Sequence, residues 1–452
     1  MVGLTAGHMR HAWTGGTPVA DEDQPSDPSD PSTSSPDATA PPERATRPSD
    51  PADRLLAAPD PFGPAKLGPV ELRNRVIKAA TFEGVMPDAL VTDELIDYHT
   101  RVEGIGMTTV AYLAVAPEGR THAETIWLRE EAAPGLARLA DAVHSTGTAI
   151  SGQMGHAGPV ANAGSNKMPG LAPGRIPNPL AMKVTRPVTE DDLTRIRHDF
   201  ERGARLLADV GFDSVELHLG HDYLPSSFIS PRFNRRKDKR GGSLEQRTSW
   251  PREIVRAVKE AVGDRVAVTA KITMHDGVPG GLRPAESLRF AQMLEAEGCL
   301  DALELTAGSS LGNPMFLFRG DAPREAFAET MKAPQKWGFK LLGGTAFKEY
   351  PFEEAFLKEM ALEFRAGLSM PIILLGGINR LDTIERAMSD GFEFVAMGRA
   401  LLHEPDLVAR MQAGAAVSGG CIHCNLCMPS IYSGTRCVLT HPEPIEAGTP
   451  VD

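Results

Sequence analysis

Three side chains in the stretch "SVELHLGHDYLPSSFISPRF", residues 214–233, carry chemistry at close spacing: His218, His221 and Tyr223. Imidazoles serve as N–H donors or metal ligands, and a phenol is a weak acid. On a continuing strand His218 and His221 would point to opposite faces. A strand that ends at Leu219-Gly220 can instead turn both imidazoles and the phenol toward one spot. Taken alone, the stretch also fits a metal pair, or two satisfied histidines in an ordinary loop.

A second set lies in "CIHCNLCMPSIYSGTRC". Cys421, Cys424, Cys427 and Cys437 read C-x2-C-x2-C-x9-C. Four thiolates so arranged suit an iron–sulfur cluster or a structural zinc. The fifth cysteine, Cys299, reads as a buried helix-end residue. Four of five cysteines in one short segment do not form a secreted disulfide framework, so the cytoplasm is the default compartment.

The elements that must position these groups alternate along the chain. Strands are expected at Arg75–Ala80, Thr108–Ala114, Thr148–Gln153, Ser214–His218, Val266–Ile272, Ala302–Thr306, Pro371–Leu375 and Phe394–Met397. Between them lie helical patterns such as "DDLTRIRHDFERGARLLADVG", with Asp at its start and Gly211 after its last turn. Eight strands with crossover helices predict a (β/α)8 barrel. A doubly wound sheet is the alternative, but no GxGxxG follows the first strand. Residues 1–58 are rich in Pro, Ser and Asp and bury almost nothing, which predicts a disordered tail. The expected division is this tail, a barrel over 59–418 and a short Cys-rich segment over 419–452. Residues 309–350 form an insertion after the sixth strand, rich in Phe, Met and Gly. It reads as a cap over the pocket or an oligomer contact before a membrane contact, since its charges are mixed.

Composition bounds the function. The chain has 452 residues and a formal charge of −12, which argues against nucleic acid as a partner. No apolar run approaches a membrane span, and the N-terminus lacks the apolar core of a secretory signal. In a barrel the active site sits at the strand C-termini. Polar groups gather there: Gln153 and His156 after the third strand, the His–His–Tyr set after the fourth, and Lys271 on the fifth. Gly376 and Gly377 after the seventh strand and Gly398 and Arg399 after the eighth suit a phosphate, although each glycine alone also reads as a turn residue.

At this point the residues resemble the old yellow enzyme flavin oxidoreductases. The resemblance runs from about Leu67 to Pro405 and rests on "LRNRVIKAATFEG", "GQMGHAG", "ELHLGHDYL…SPRFNRRKDKRGGSLEQR", "LLGGINR" and "AMGRALLHEPDL", in the family's order. It implies a barrel holding FMN, reduced by NAD(P)H. Gln153 is then expected at the pyrimidine edge of the flavin. Lys271 stands beside N1 where many members have Arg, and the backbone of Ala80 and Thr81 lies along the ring. Gly376, Gly377, Gly398 and Arg399 take the phosphate end. His218 and His221 match the pair that grips a carbonyl or phenolate oxygen, and Tyr223 the acid that protonates the α-carbon of an enone. The Cys-rich segment resembles the [4Fe–4S] segment of the 2,4-dienoyl-CoA reductase and trimethylamine dehydrogenase branch. There a second, FAD-type domain follows, whereas this sequence stops at Asp452.

Departures from the pattern bear on the substrate. Asp222 replaces a glycine or serine and puts a carboxylate near the proton donor. "KAATFEG" lacks a proline common in the first-strand motif, and Pro159 stands where Arg is frequent. Phe82 and Glu83 are expected to face the substrate. Three function classes follow: an FMN ene-reductase acting on a small enone, a reductase or demethylase passing electrons to a separate protein, and a non-redox phosphate-binding barrel.

Overall fold

A computed structural model describes residues 58–178, 181–333 and 335–451. The tail expected over residues 1–58 falls outside them, except for Ala58. Eight parallel strands form a closed barrel. They are β1 (Val76–Phe82), β2 (Met107–Ala114), β3 (Ala149–Gly155), β4 (Ser214–Leu219), β5 (Ala267–Thr273), β6 (Ala302–Thr306), β7 (Ile372–Leu375) and β8 (Phe394–Met397). The (β/α)8 expectation holds and the open-sheet alternative does not. Strand ends differ from the sequence reading by at most two residues. The largest differences are β1 and β3, which continue to Phe82 and Gly155, toward the mouth where the polar groups lie.

Each strand is buried on both sides, for two different reasons. Val215, Leu217 and Leu219 of β4 pack in the large apolar core that also takes in the helix residues Ile196, Phe200 and Trp250. The alternate residues Glu216 and His218 are buried too, and they face the barrel interior. At the opposite end of the barrel Ala65, Leu67 and Leu72 of a short N-terminal hairpin join the first residues of several strands, among them Met107, Ala267, Ala302 and Phe394. That hairpin closes the floor with apolar side chains.

The outer helices that matter for the site are α1 (Asp93–Thr100), α2 (Glu190–Asp209), α3 (Leu224–Ile229) and α4 (Leu244–Val262). Reciprocal side-chain caps start two of them: Thr189 with Asp192 on α2, and Ser243 with Gln246 on α4. Gly211, expected as the stop after α2, has φ +94. Short α3 follows Tyr223 directly. It is held by Phe228, whose ring lies 5.1 Å from that of Trp250 on α4, and the Trp250 indole N–H donates to the Leu193 carbonyl at 3.2 Å.

The segment after β6 builds a second small core from Met315, Phe327 and Phe347 with Met428 of the Cys-rich segment. Its helices Arg324–Glu329 and Gln335–Ala346 precede the crossover helix Lys358–Gly367. The Cys-rich segment also packs on the loop after β1. Thr435 donates its N–H to the Glu83 carbonyl at 2.8 Å and its hydroxyl to the Phe82 carbonyl.

Replacing Trp250 with Ala should cost about 3–5 kcal/mol, because it opens a large cavity behind α3. The check is the midpoint of reversible denaturation; a midpoint like that of the wild type would contradict this packing.

Candidate active site

β4 ends at Leu219, and the next two non-glycine residues, His221 (φ +57) and Asp222 (φ +66), are both left-handed. Such backbone is uncommon outside glycine and needs support. Here the support is the Asp222 carboxylate, which accepts the Ser309 hydroxyl at 2.5 Å and the Leu311 N–H at 2.9 Å. The His221 N–H adds a bond to the Thr273 hydroxyl at 3.0 Å. The tight turn brings the imidazoles back onto one side. Their centroids lie 5.1 Å apart, with His221 Nδ1 3.4 Å from His218 Nε2. The Tyr223 ring stands edge-on to His218 at 4.3 Å and to Tyr112 at 5.2 Å.

Burial decides the protonation of this trio. It pushes His218 well below the usual imidazole range, with His221 and Lys271 adding to the effect. It pushes His221 down to about 3, again with Lys271 adding. Burial also holds the Tyr223 phenol well above its ordinary value. All three groups are therefore neutral at neutral pH and able to donate hydrogen bonds. His221 Nε2 is 3.0 Å from the Thr306 hydroxyl, while His218 Nδ1 is buried without a hydrogen-bond partner among the described residues. A buried orphan of this kind fits a site built around a ligand.

Below the trio the barrel interior carries a charged layer. Register sets Gln153 beside Glu216, His218 beside Lys271 and Lys271 beside Glu304. The Lys271 ammonium lies 3.1 Å from Glu216 and 3.0 Å from Glu304, and the Gln153 amide donates to Glu216 at 2.5 Å. Burial opposes the Lys271 charge, but the two carboxylates outweigh it and hold the ammonium above its ordinary value. Burial, with Glu216 adding to it, pushes Glu304 up to about 8. The two carboxylates thus share the one ammonium. The sequence reading found Gln153 and Lys271 but missed Glu216 and Glu304. Their signal was present in the period-two alternation of "VELH" and "ALELT", where a charged residue recurs on the face opposite the leucines.

The four residues expected at a phosphate separate into different settings. A Cβ at Gly376 or Gly377 would lie 2.6 Å from Leu357 or Phe356, so these glycines let the segment before Lys358–Gly367 close on the β7 turn. A Cβ at Gly398 would meet nothing nearer than Ala79 and Thr81, both at 3.9 Å. That open cradle, with the orphan His218 nitrogen, fits a cofactor lying across the mouth. Arg399 turns toward the Cys-rich segment, donating to the Arg319 carbonyl at 2.8 Å and to the Asn425 side chain.

Cys421, Cys424, Cys427 and Cys437 line one small cavity with Arg399 and His403. Among the described residues no three His, Cys, Asp or Glu side chains are grouped to hold a single metal ion. His403 Nδ1 lies 3.3 Å from Cys437 Sγ. Asn425, which the sequence reading passed over, clamps this segment: it is buried and left-handed, and its amide reaches the carbonyls of Phe318 and Asp321.

Two expectations, for Glu83 and His156, need correction. Glu83 does not face a substrate: its carboxylate is fully buried, accepts the Ala111 N–H at 3.1 and 3.2 Å, and lies 3.4 Å from His99. The Phe82 carbonyl is capped by Thr435, and its ring packs against the main core. His156 leaves the mouth for Glu118 at 3.8 Å, with its other nitrogen accepting the Gly158 N–H. Asp222 lies beside the proton donor in sequence, but its carboxylate is spent on the segment after β6.

Residues 60–306 match the sequence profile of the NADH:flavin oxidoreductase / NADH oxidase family. The chain is 54% identical over 380 residues to 4,4'-dithiodibutanoate disulfide reductase of Rhodococcus erythropolis, covering 84% of this chain and 94% of that one. It is 30% identical to a metal reductase of Desulforamulus reducens over 82% of its own length, and it spans only 52% of that relative. Among solved structures, an old yellow enzyme homologue from Zymomonas mobilis superposes with a TM-score of 0.65 at 20% identity, covering 81% of this chain and 96% of that one.

Burial pushes Asp222 up to about 7 against the donors Ser309 and Leu311, with Asp276 adding to the push. The folded chain therefore binds this proton more tightly than the unfolded chain, whose carboxyl titrates near 3.8. Stability should fall as pH rises through that window. Asp222→Asn removes the titration, so the gap between variant and wild type should move in the variant's favour from about pH 4 to about pH 7. Parallel stability–pH curves would contradict the assignment.

Proposed function

We propose, for a chain that belongs to the NADH:flavin oxidoreductase / NADH oxidase family, that the barrel mouth reduces the C=C bond of α,β-unsaturated carbonyl compounds with NAD(P)H. The observation that carries this reading is the convergence of two neutral imidazoles and a neutral phenol after β4. The family's cofactor is FMN, which when bound accepts hydride from NAD(P)H and delivers it to the acceptor. Ala80, Thr81, Gln153 and Lys271 would hold its ring, with the Gly398 cradle toward its phosphate; of the other residues expected there, Gly376 and Gly377 meet Leu357 and Phe356, and Arg399 meets Arg319 and Asn425. Membership in this family sets aside the non-redox barrel.

The chain's own residues then do three things. His218 and His221 donate N–H groups to the substrate carbonyl oxygen and draw charge onto it, which makes the β-carbon electron-poor. Being neutral, they stabilise the developing oxyanion without bringing a second buried charge beside Lys271. Tyr223, kept protonated by burial, gives its proton to the α-carbon as hydride arrives at the β-carbon. The half-buried phenol regains a proton from solvent.

A second reading takes an organic disulfide as acceptor, and the 54% identity to a disulfide reductase favours it. There hydride arrives at one sulfur, which becomes a thiol as the S–S bond breaks, and Tyr223 protonates the departing thiolate. The same donors serve both acceptors. We also assign Cys421, Cys424, Cys427 and Cys437 as ligands of a [4Fe–4S] cluster that exchanges electrons with a separate protein, on the strength of their shared cavity and spacing.

Tyr223→Phe should slow reoxidation by enone about a hundred- to ten-thousand-fold while leaving reduction by NAD(P)H intact. Stopped-flow measurement of each half-reaction separates the two, and an unchanged oxidative half-reaction removes Tyr223 as the acid. Run beside it, a dithiodicarboxylate that turns over where cyclohexenone does not would move the assignment to the second reading. Protein purified without oxygen should carry iron and sulfide, both lost in Cys424→Ala; zinc, or no metal, would remove the cluster and leave the flavin reading standing.

A further inference from the structure

Lys78 on β1 is a buried cation that the chemistry above does not use. Its side chain is 2% exposed, and no carboxylate among the described residues comes within 4.0 Å of its ammonium. Lys271, by contrast, has two. The oxygens Lys78 does reach are the Ala79 carbonyl at 3.4 Å and the Thr81 hydroxyl at 3.3 Å. Both are longer than the roughly 2.7–2.9 Å of a charge-assisted bond. The Thr81 hydroxyl is itself shared with Tyr98 at 3.2 Å, and the ammonium sits 5.1 Å from the centre of the Tyr98 ring. The nearby carboxylate of Glu83 is already engaged by the Ala111 N–H and His99.

An ammonium buried on such terms destabilises the fold unless something negative offsets it. Its place in the barrel says where that charge belongs. Lys78 pairs in register with Met397 of β8, one residue before Gly398. The open cradle at Gly398 is bordered by Ala79 and Thr81, the two residues whose oxygens touch the Lys78 ammonium. Cation and cradle therefore share the seam between β8 and β1.

We propose that Lys78 is a further cation of the cofactor site, offsetting negative charge on an oxygen of bound FMN at the β8–β1 seam. The proposal rests on the flavin reading and adds to it a residue outside the expected set. Burial pushes the free ammonium down to about 8, with Glu83 opposing and Arg101 and Lys271 adding to the push. An anion in the cradle reverses that tendency. The anionic oxygen belongs either to the phosphate or to the reduced ring, and the two are separable.

The test uses the full-length protein, stripped of flavin and titrated with FMN and with riboflavin, as wild type, Lys78→Met and Lys78→Arg. Lys78→Met should weaken FMN binding tenfold or more, on the order of one charge-assisted bond, and Lys78→Arg should recover most of it. If riboflavin binding is untouched, the partner is the phosphate. If FMN binds as before but the flavin midpoint potential falls, the partner is the reduced ring. Thermal melts provide the readout that a merely structural lysine would not give: Lys78→Met should leave the flavin-free protein as stable as wild type or more so, and lower only the FMN-loaded melting temperature. A Lys78→Met chain that fails to fold, or loses stability without flavin, makes the lysine structural and overturns the proposal. Unchanged FMN affinity and unchanged potential overturn it too. Wild-type protein that binds no FMN defeats the flavin reading instead.

Discussion

The candidate site depends on one carboxylate that touches no substrate. Asp222 anchors two successive left-handed residues by accepting from Ser309 and Leu311, on the far side of β6. Without that anchor the backbone after Gly220 has no reason to reverse. His221 would then lose its place beside His218, and Tyr223 its place at the start of α3. The same bond pulls the segment after β6 against the mouth, so the turn that builds the donor set also holds the segment beside it. A residue that stood out in the sequence as an oddity is thus the strut of the arrangement.

Beneath the turn, electrostatics is arranged in layers. Glu216 and Glu304, both in contact with Lys271, keep a cation under the mouth without leaving it unmatched. That cation helps hold His218 and His221 neutral. Neutral donors suit an acceptor that becomes negative only during the reaction, because they stabilise charge as it develops rather than beforehand. At the seam between β8 and β1, Lys78 has no carboxylate within 4.0 Å among the described residues, which is why we assign it to the cofactor site.

Much of this was legible in the sequence. Eight strands, the stop at Gly211 and the turn after Leu219 followed from periodicity and spacing; the convergence of His218, His221 and Tyr223 was one option the spacing left open, and the resemblance to the flavin oxidoreductases selected it. The alternation in β4 was seen, but its meaning inside a barrel, a polar column meeting Lys271 and Glu304, needed the register between strands. Glu83 and His156 were misplaced because sequence proximity to a strand end does not say which way a side chain turns. Glu83 turns to the Ala111 N–H, and His156 turns to Glu118. Asn425 gave almost no signal, since a clamp among carbonyls more than a hundred residues away leaves no local pattern.

The central claim is that His218 and His221 together form a grip for an anionic oxygen over the flavin. Titration of the FMN-loaded protein with a para-substituted phenol tests it most directly, followed by long-wavelength absorbance. Two imidazole donors favour the phenolate, so wild-type protein should develop a charge-transfer band. The double variant His218→Ala/His221→Ala should keep its FMN spectrum and lose the band. A band that persists in the double variant, at the same phenol concentration and with FMN still bound, would contradict the account.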